Sequence, residues 1–575
     1  MALFSQENAA LQVFTPLPED TVLATCLTGW ERLGDSFEFT LQLVAERGGK
    51  IALDELLGRE VRAQARLADD SLRHYHGIVW KASEIGADDQ FEHYEVVLKP
   101  RLARLGLVKR SRVFQNKTAL DIIKELLVPV GGADFEVHYP VPHRTYCTQY
   151  HETDLDFFLR LCAEEGISHY WRHGEPRVRP HKRGAEQPPP SSDQAVHDHR
   201  LILTDNTTLS HSVGRIEYDQ TVGRSTQRPV IRSWRLDQAM APTTCDIHGN
   251  HFQLFGQQLG TRAHGPSTIE AGKLHLKPGN AQGSWSEDAL SASRYFDGIN
   301  PSGAADGQAL SQIHEAQERR ARILATGAAA GSVRAQGMGD CCQVMPGHAF
   351  HLTHHHRQEG HWLAVAVEHT AAVEGKYWAG ESAGLRLEAR IEAAPLALAQ
   401  VPWPLKAKPK VSGVETAIVT GPRGQETFVD PYGRVKVRFW FSHASLSDAG
   451  SSCWVRVAQI WAGKSYGAAF WPRVGHEVVV SFEGGDPDKP VITGSVYNAT
   501  NMPPFDLPEN VFVSGFKTLS EGGNIAENFH LLLLSDERGA EVVHIHAEAR
   551  FNTTQESSQV NMRPQMDITI QGASS

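Results

Sequence analysis

Several things are missing from this chain, and each absence narrows what it can be. No run of eighteen apolar residues occurs, which excludes a conventional membrane-spanning helix. The opening Met1-Ala-Leu-Phe-Ser-Gln-Glu-Asn8 has no basic n-region and no apolar h-region, so passage through a signal peptide is not expected. A basic excess is also absent. The 56 Lys and Arg against 67 Asp and Glu leave a net charge of −11, the reverse of a general nucleic-acid binder's footprint. Cysteine is sparse: Cys26, Cys147, Cys162, Cys245, Cys341, Cys342 and Cys453 are odd in number and scattered. That pattern argues against a disulfide scaffold and suits folding in a reducing cytosol. Charge is too thin, at 21%, for a disordered acidic polymer, while 41% hydrophobic residues over 575 positions supply cores for about three or four domains.

What is present is mostly β pattern, densest near residue 430. Val435, Val437, Phe439 and Phe441 alternate with Arg434, Lys436, Arg438 and Trp440, the period of two of a strand with one dry face. Asp430-Pro-Tyr-Gly433 just before it is a turn, with Pro pre-setting φ and Gly free to take a positive one. Further strands are predicted at Cys453–Ile460, His476–Glu483 and Pro490–Tyr497, separated by Gly463, Gly475 and the Gly484-Gly-Asp-Pro-Asp488 turn. About five short strands in about ninety residues fit a small closed Greek-key barrel of the OB type.

The same residues carry a family resemblance. Asp430-Pro-Tyr-Gly-Arg-Val-Lys-Val437, Cys453-Trp-Val-Arg-Val-Ala-Gln459, Trp461-Ala-Gly-Lys464 and Gly484-Gly-Asp-Pro-Asp-Lys-Pro490 resemble the barrel signature of VgrG, the spike of bacterial type VI secretion systems. That family is related to the hub and spike proteins of contractile phage tails. Tyr146-Cys-Thr-Gln-Tyr150, Asp154-Leu-Asp-Phe-Phe-Leu159 and Glu164-Glu-Gly-Ile167 resemble a second hallmark, in the family's hub-like region. Gly347-His-Ala-Phe-His-Leu-Thr353 and Val365-Ala-Val-Glu-His369 look like family strands that close the hub.

Residues 1–110 read as β, with alternation over Phe37–Val44, Val61–Leu67, His74–Trp80 and Tyr94–Leu98. Two helices are expected next. Thr118–Leu127 has Asn116 and Thr118 as candidate caps. Asp154–Glu165 starts behind Thr153 and stops at Gly166, with Leu155, Phe158 and Cys162 on one face and Phe157 and Leu161 flanking it. Glu175–Asp193, with Pro188-Pro-Pro190, reads as a loop or hairpin excursion, and 200–300 as mixed β. A helix is predicted over Ala305–Ala325, capped by Asp306, with Leu310, Ile313, Ala316 and Leu324 on one stripe. Strands resume at Gln343–Thr353 and Trp362–His369, and Pro402, Pro404 and Pro409 mark a linker.

Beyond the barrel the pattern changes character. Phe529–Leu534 and Glu541–Ala549 flank the turn Ser535-Asp-Glu-Arg-Gly539. Val543, Ile545 and Ala547 are expected on one face, opposite Val542, His544, His546 and Glu548, and Ile568 and Ile570 alternate near the end. Residues 511–575 offer short alternating strands with no helix and no second layer. Such a ribbon is marginal in water. Burial at about 25 cal/mol per Å² offsets roughly 1.5 kcal/mol of ordering per residue only if neighbouring chains cover the apolar stripe and pair the open edges. The residues therefore imply an obligate oligomer; the resemblance implies that the number is three and the product a trimeric β-helix. Sustained Val- and Gly-containing repeats, usual in the family, are missing from 550–575, so the needle is short or the chain is a piece of a longer one.

Other motifs have competing bland readings. Gly463-Lys-Ser-Tyr-Gly467 matches a nucleophile elbow around Ser465. The elbow needs a helix next, however, and Phe470-Trp-Pro-Arg473 does not start one, so a barrel turn is expected. A phosphate loop on Gly463-Lys464-Ser465 fails because Ala458 stands where its first glycine belongs. His348, His351, His354, His355, His356 and His361 are dense enough for zinc. No His-Glu-x-x-His orders them, and His348 and His351 would fall on opposite strand faces, so a solvated strand-end loop is expected. Cys341-Cys342 is adjacent and suits neither a metal knuckle nor a redox pair. Arg434, Lys436 and Arg438 with Trp440, Trp454 and Trp461 resemble a single-strand nucleic-acid platform. Overall acidity favours a solvated face, with the tryptophans packed on neck or hub. The stretch from Tyr497 to Val511 leaves no room for a lysozyme insertion, and no acid pair is available there for glycoside cleavage.

The expected fold class is mainly β with a few helices: a phage-hub-like β-barrel region over 1–395, a linker over 396–412, an OB-fold barrel over 413–497, a neck over 498–520 and the start of an intertwined trimeric β-helix needle over 521–575. The resemblance implies a non-enzymatic homotrimeric spike that caps the Hcp tube, punctures a target membrane and carries effectors. Its implied partners are Hcp, a PAAR-type tip protein, effectors with their adaptors or chaperones, and baseplate components, with no nucleic acid. No catalytic, cofactor-binding or metal residue is assigned. The protein is expected in the bacterial cytoplasm before firing and outside, or in the target cell, afterwards. The alternatives are a hub-spike of a phage-tail-like particle and a spike with its own hydrolase.

Overall fold

The computed structural model describes residues 5–6, 9–49, 51–174, 199–221, 228–249, 251–256, 259–277, 284–288, 307–374, 384–403, 406–442 and 450–550. A twelve-stranded sheet organises the N-terminal region. Its first half runs in the order Leu11–Phe14, Glu60–Arg66, Leu72–Ala87, Phe91–Lys99, Phe37–Glu46, Leu23–Arg32. Strict alternation explains these strands: Val61, Ala63 and Ala65 are buried between Arg62, Gln64 and Arg66, and Phe37 and Phe39 stack on the same face at 4.9 Å. Leu23–Arg32 then pairs with the long strand Gly360–Glu374. From there Ala349–Thr353, Ser212–Tyr218, Val230–Gln238, Val333–Gly339 and Gly384–Pro395 follow, and the last returns to pair with Gly360–Glu374 along its length. Six strands thus close into a barrel, the arrangement that removes open edges. Each half has its own apolar core.

Both expected N-terminal helices are present with their local signals. Ala119–Leu127 opens on Thr118, whose hydroxyl accepts from the Asp121 N–H at 3.1 Å while the Asp121 carboxylate accepts from the Thr118 N–H at 3.1 Å. Asn116, the other candidate cap, lies outside the helix with φ +51° inside the strand Lys109–Thr118. Asp154–Glu165 is capped by Thr153 and ends on Gly166 at φ +68°, which glycine adopts without strain. Its Leu155 is only partly buried, and its buried face includes Asp154, Arg160 and Glu165, which apolar periodicity did not anticipate.

Several expectations need correction. The strand expected from Gln343 begins only at Ala349, because Pro346 and Gly347 (φ +77°) turn the chain just before it. The helix expected over Ala305–Ala325 spans Gly307–Ala330; it runs past its last large apolar residue because Ala328, Ala329 and Ala330 are buried. Glu175–Asp193, the Asp306 cap, and Ile568 and Ile570 lie outside the described residues, as do the side chains of Leu310 and Ile313. The linker expected over 396–412 is a fastened strap: Leu398, Gln400 and Val411 are buried, Gln400 accepts from Ser168 and Arg334, and the Val411 N–H donates to Gly485 O at 2.8 Å.

The C-terminal barrel contains a strand that was not anticipated, Glu415–Thr420, paired on both sides within its sheet. The order is Lys436–Phe439, Glu415–Thr420, Glu477–Phe482, Pro490–Val496, Arg456–Val457, and the Val435–Val455 bridge joins the two ends into a ring. Cys453–Ile460, expected as a full strand, is reduced to Arg456–Val457 plus that bridge. Val419, Val435, Val437, Phe439, Val478 and Val480 fill the interior. Past the barrel, Val513–Lys517, Leu531–Ser535 and Val542–His546 form an antiparallel meander. The neck expected to reach residue 520 therefore gives way to sheet at Val513.

Candidate functional site

Among the described residues, the tail meander is the sheet left without a covering layer. Register places Phe516, Leu532 and Ile545 side by side, with Leu534 and Val543 beside them on the same face. All five are exposed, from 37% at Leu532 to 64% at Val543. The described residues place no second layer over this face. Phe470 of the barrel stacks on Phe516 at 5.4 Å, so the apolar surface runs from the barrel into the sheet. Most of the large hydrophobic side chains left exposed lie between Val429 and Ile545. Contiguous exposed apolar surface is the kind of feature by which interaction sites are recognised.

On the barrel rim, Gly463-Lys-Ser-Tyr-Gly467 is the tip of a hairpin. The Gly463 N–H donates to Tyr466 O at 2.8 Å, and Ala462 bridges Gly467. A Cβ on Gly467 (φ +137°) would sit 2.3 Å from Trp461 O, so only glycine fits. Ser465 is exposed at φ +64° in this turn, without the strand-to-helix geometry of an elbow. Ile460, Trp461 and Tyr466 project from the same hairpin and are largely exposed.

The basic stripe is not uniform. Arg434 is buried, against expectation: its guanidinium holds Asp430 at 2.7 Å and lies over the rings of Phe252 and Tyr432, so it pins the Asp430–Gly433 turn instead of facing solvent. Lys436 covers Trp454, which also packs on Phe428, and Arg438 covers Trp440. The ring contacts of these tryptophans among the described residues are with the barrel's own side chains, Trp454 on Phe428 and Trp461 on Tyr466. Cation–π covering of this kind occupies one face of Trp454 and of Trp440, while Trp440 and Trp461 stay more than half exposed.

The histidine cluster is a solvated strand-end loop only in part: His354 and His356 are exposed in the turn between Ala349–Thr353 and Gly360–Glu374, and His361 is exposed just after it, but the others are not. His348 precedes its strand and is buried, its ring edge-on to Tyr170 and Nδ1 3.2 Å from Pro346 O. Burial holds it down to about 4, so it is neutral at pH 7. His351 and His361 are cross-strand partners with rings 4.6 Å apart. His355 is buried against Tyr218, and its Nδ1 accepts from the Gln358 N–H at 3.1 Å. Among the described residues no group of three or more His, Cys, Asp or Glu is placed to hold a metal. Cys341 and Cys342 are both buried free thiols, pushed well up by burial.

Two buried charged networks escaped the sequence reading. In the first, Glu31 is ion-paired with Arg73, lies 2.9 Å from His369 Nε2 and 3.3 Å from His173 Nε2, and all four side chains are buried. Burial pushes the Glu31 carboxyl up, yet Arg73 and the two imidazoles outweigh it and hold it well below the usual range. Both imidazoles are themselves held down, by burial first. Strand parity was the available signal: Glu31 shares the inward face of Leu27. In the second, Arg160 joins Glu152 and Glu164, and Arg144 joins Glu164 and Glu165 at 2.7 and 2.6 Å.

Comparison with known proteins agrees with this architecture. Residues 30–375 match the phage tail baseplate hub (GPD) family, and residues 426–497 match the type VI secretion system/phage-baseplate injector OB domain. The type VI secretion system spike protein VgrG1b of Pseudomonas aeruginosa is 32% identical over 555 residues, covering 95% of this chain and 68% of that protein. Among solved structures, an E. coli type VI secretion component described as similar to the T4 bacteriophage tail proteins gp27 and gp5 superposes with TM-score 0.51 at 18% identity, covering 84% of this chain and 99% of that one. VgrG in a lidded Francisella PdpA–VgrG complex gives TM-score 0.52 at 9% identity, covering 91% of this chain and 76% of that chain.

Proposed function

The chain belongs to the VgrG family of type VI secretion spike proteins, and from that premise we propose that it works as a homotrimeric, load-bearing tip whose tail sheets complete one another around a common axis. The observation that carries this reading is the uncovered face of Phe516, Leu532, Leu534, Val543 and Ile545. A three-stranded sheet exposed on an apolar side gains by docking on copies of itself. The product is a stiff prism continuous with the barrel, able to pass an axial push to a membrane.

In this proposal the N-terminal barrels seat on the Hcp tube, the needle takes a PAAR-type tip, and effectors or their adaptors ride on the assembly beside baseplate components. Effector carriage draws support from the fold shared with VgrG of the PdpA complex. The chain contributes no catalysis: its one hydrolase-like motif, around Ser465, is a hairpin tip. It is held in the bacterial cytoplasm, where its free thiols stay reduced, until firing carries it outward.

A strain deleted for this chain tests the proposal. Export of Hcp into the medium should fail, return with the wild-type chain, and stay absent when residues 511–550 are removed. Export fully restored by that shortened chain would refute the role given to the tail. Retained peptidoglycan or lipid hydrolysis by purified protein, abolished by Ser465→Ala, would overturn the non-enzymatic reading.

A further inference from the structure

The backbone of Thr148 is gripped from two domains at once. Its N–H donates to Asp488 Oδ1 at 2.6 Å, and its C=O accepts from Arg160 Nη2 at 2.9 Å. Asp488 belongs to the Gly484–Lys489 loop of the C-terminal barrel and Arg160 to the helix Asp154–Glu165; Thr148, Asp488 and Arg160 are all buried. Each partner is itself fixed. Asp488 is ion-paired with Lys408 of the strap, which also reaches Asp486 Oδ1 at 2.5 Å. Arg160 continues through Glu164 and Arg144 to Glu165, which Arg319 of the helix Gly307–Ala330 approaches at 3.3 Å. Beside this line, the Tyr150 hydroxyl donates to Glu415 Oε1 at 2.6 Å and its ring packs on Phe441 at 5.4 Å.

Interfaces between domains of one chain are usually polar, hydrated and able to shift. This one has a dry carboxylate at its centre, and a buried N–H and a buried carboxylate separated without water both lose their partners. We propose that the Gly484–Lys489 loop is a key that locks the C-terminal barrel onto the N-terminal region through Asp488, so that the two move as one rigid lever. The inference stands apart from the spike reading, because it requires only that the two regions of one chain be held together. Turn chemistry explains the loop's glycines and proline; the lock explains why Asp488 is buried.

Native-state hydrogen exchange on the full chain, with limited proteolysis of the strap, tests it. In the wild type, amides of His143–Thr153 should exchange as slowly as those of the barrel strand Glu477–Phe482. Asp488→Ala should speed exchange in His143–Thr153 at least tenfold and admit cleavage within 396–412, leaving Leu23–Arg32 unchanged. Asp488→Asn keeps an acceptor for Thr148 but loses the Lys408 ion pair, and should fall between the two. If the Ala variant fails to fold, the Asn variant decides: faster exchange in His143–Thr153 supports the lock. Wild-type exchange and an uncleaved strap in either folded variant overturn it.

Discussion

Burial sets the charge state of the N-terminal region residue by residue. His169 and His348 are held down to about 4 by loss of hydration, and His173 and His369 are also held down despite the neighbouring Glu31. A histidine whose folded value lies below 6.5 takes its proton first in the unfolded chain. The stability it contributes is complete above 6.5 and is lost as pH falls toward 4. For His169 and His348 the loss is on the order of 3 kcal/mol each. Glu31, depressed well below 4.5, adds its own loss at lower pH still. Thermal unfolding followed from pH 7.5 to 4 should show a falling midpoint, and His348→Gln should flatten part of the slope; a flat profile in the wild type would contradict this. Glu31→Gln at neutral pH leaves Arg73 buried without its counter-charge and should cost about 3–5 kcal/mol by denaturant titration, more than Arg73→Met with Glu31→Gln combined. Neither network was legible in the sequence. Parity in Leu23–Arg32 could have told which face Glu31 points to, but its partners come from strands more than forty and more than three hundred positions away.

At the scale of elements, what was local was legible and what was not local was missed. Asp154–Glu165 was readable to the residue because Thr153, Gly166 and the periodic Phe158 and Cys162 are all within the helix or touch its ends. The Thr153 hydroxyl accepts from the Asp156 N–H at 3.0 Å, so Thr153→Ala should cost about 1 kcal/mol in an unfolding titration, and a neutral result would deny the cap. Glu415–Thr420 was missed because its identity as a strand depends on partners at Lys436–Phe439 and Glu477–Phe482. Cys453–Ile460 was overread, since its alternation serves a single bridge and two paired residues. In the tail, Ser535-Asp-Glu-Arg-Gly539 marked the turn correctly and the observed register pairs Ser535 with Val542. The expected division of faces also holds, with Val543 and Ile545 opposite Val542, His544 and His546. A charge on the apolar face discriminates between a covered and a free sheet: Ile545→Asp should abolish self-association while leaving the unfolding free energy of the N-terminal region within about 0.5 kcal/mol of wild type. Unchanged self-association would mean that this face is not the contact.

At the scale of the molecule, the parts form a gradient of self-sufficiency. The closed six-stranded barrel buries its own edges, the C-terminal barrel closes through Val435 and Val455, and the meander beyond it closes nothing. Closure of the C-terminal barrel was readable from its short, regularly spaced strands, although the pair that closes it was not, and the shortage of cover in the tail was readable too, because it needs only a count of strands and faces. In the proposed spike that shortage joins fold to function, with copies meeting at the C-terminal end to make the rigid point. Light-scattering mass determination on the purified full chain reads this directly. A single species of three times 63.4 kDa is expected, whereas a monodisperse 63.4 kDa species with its tail strands protected from exchange would show that the sheet stands alone.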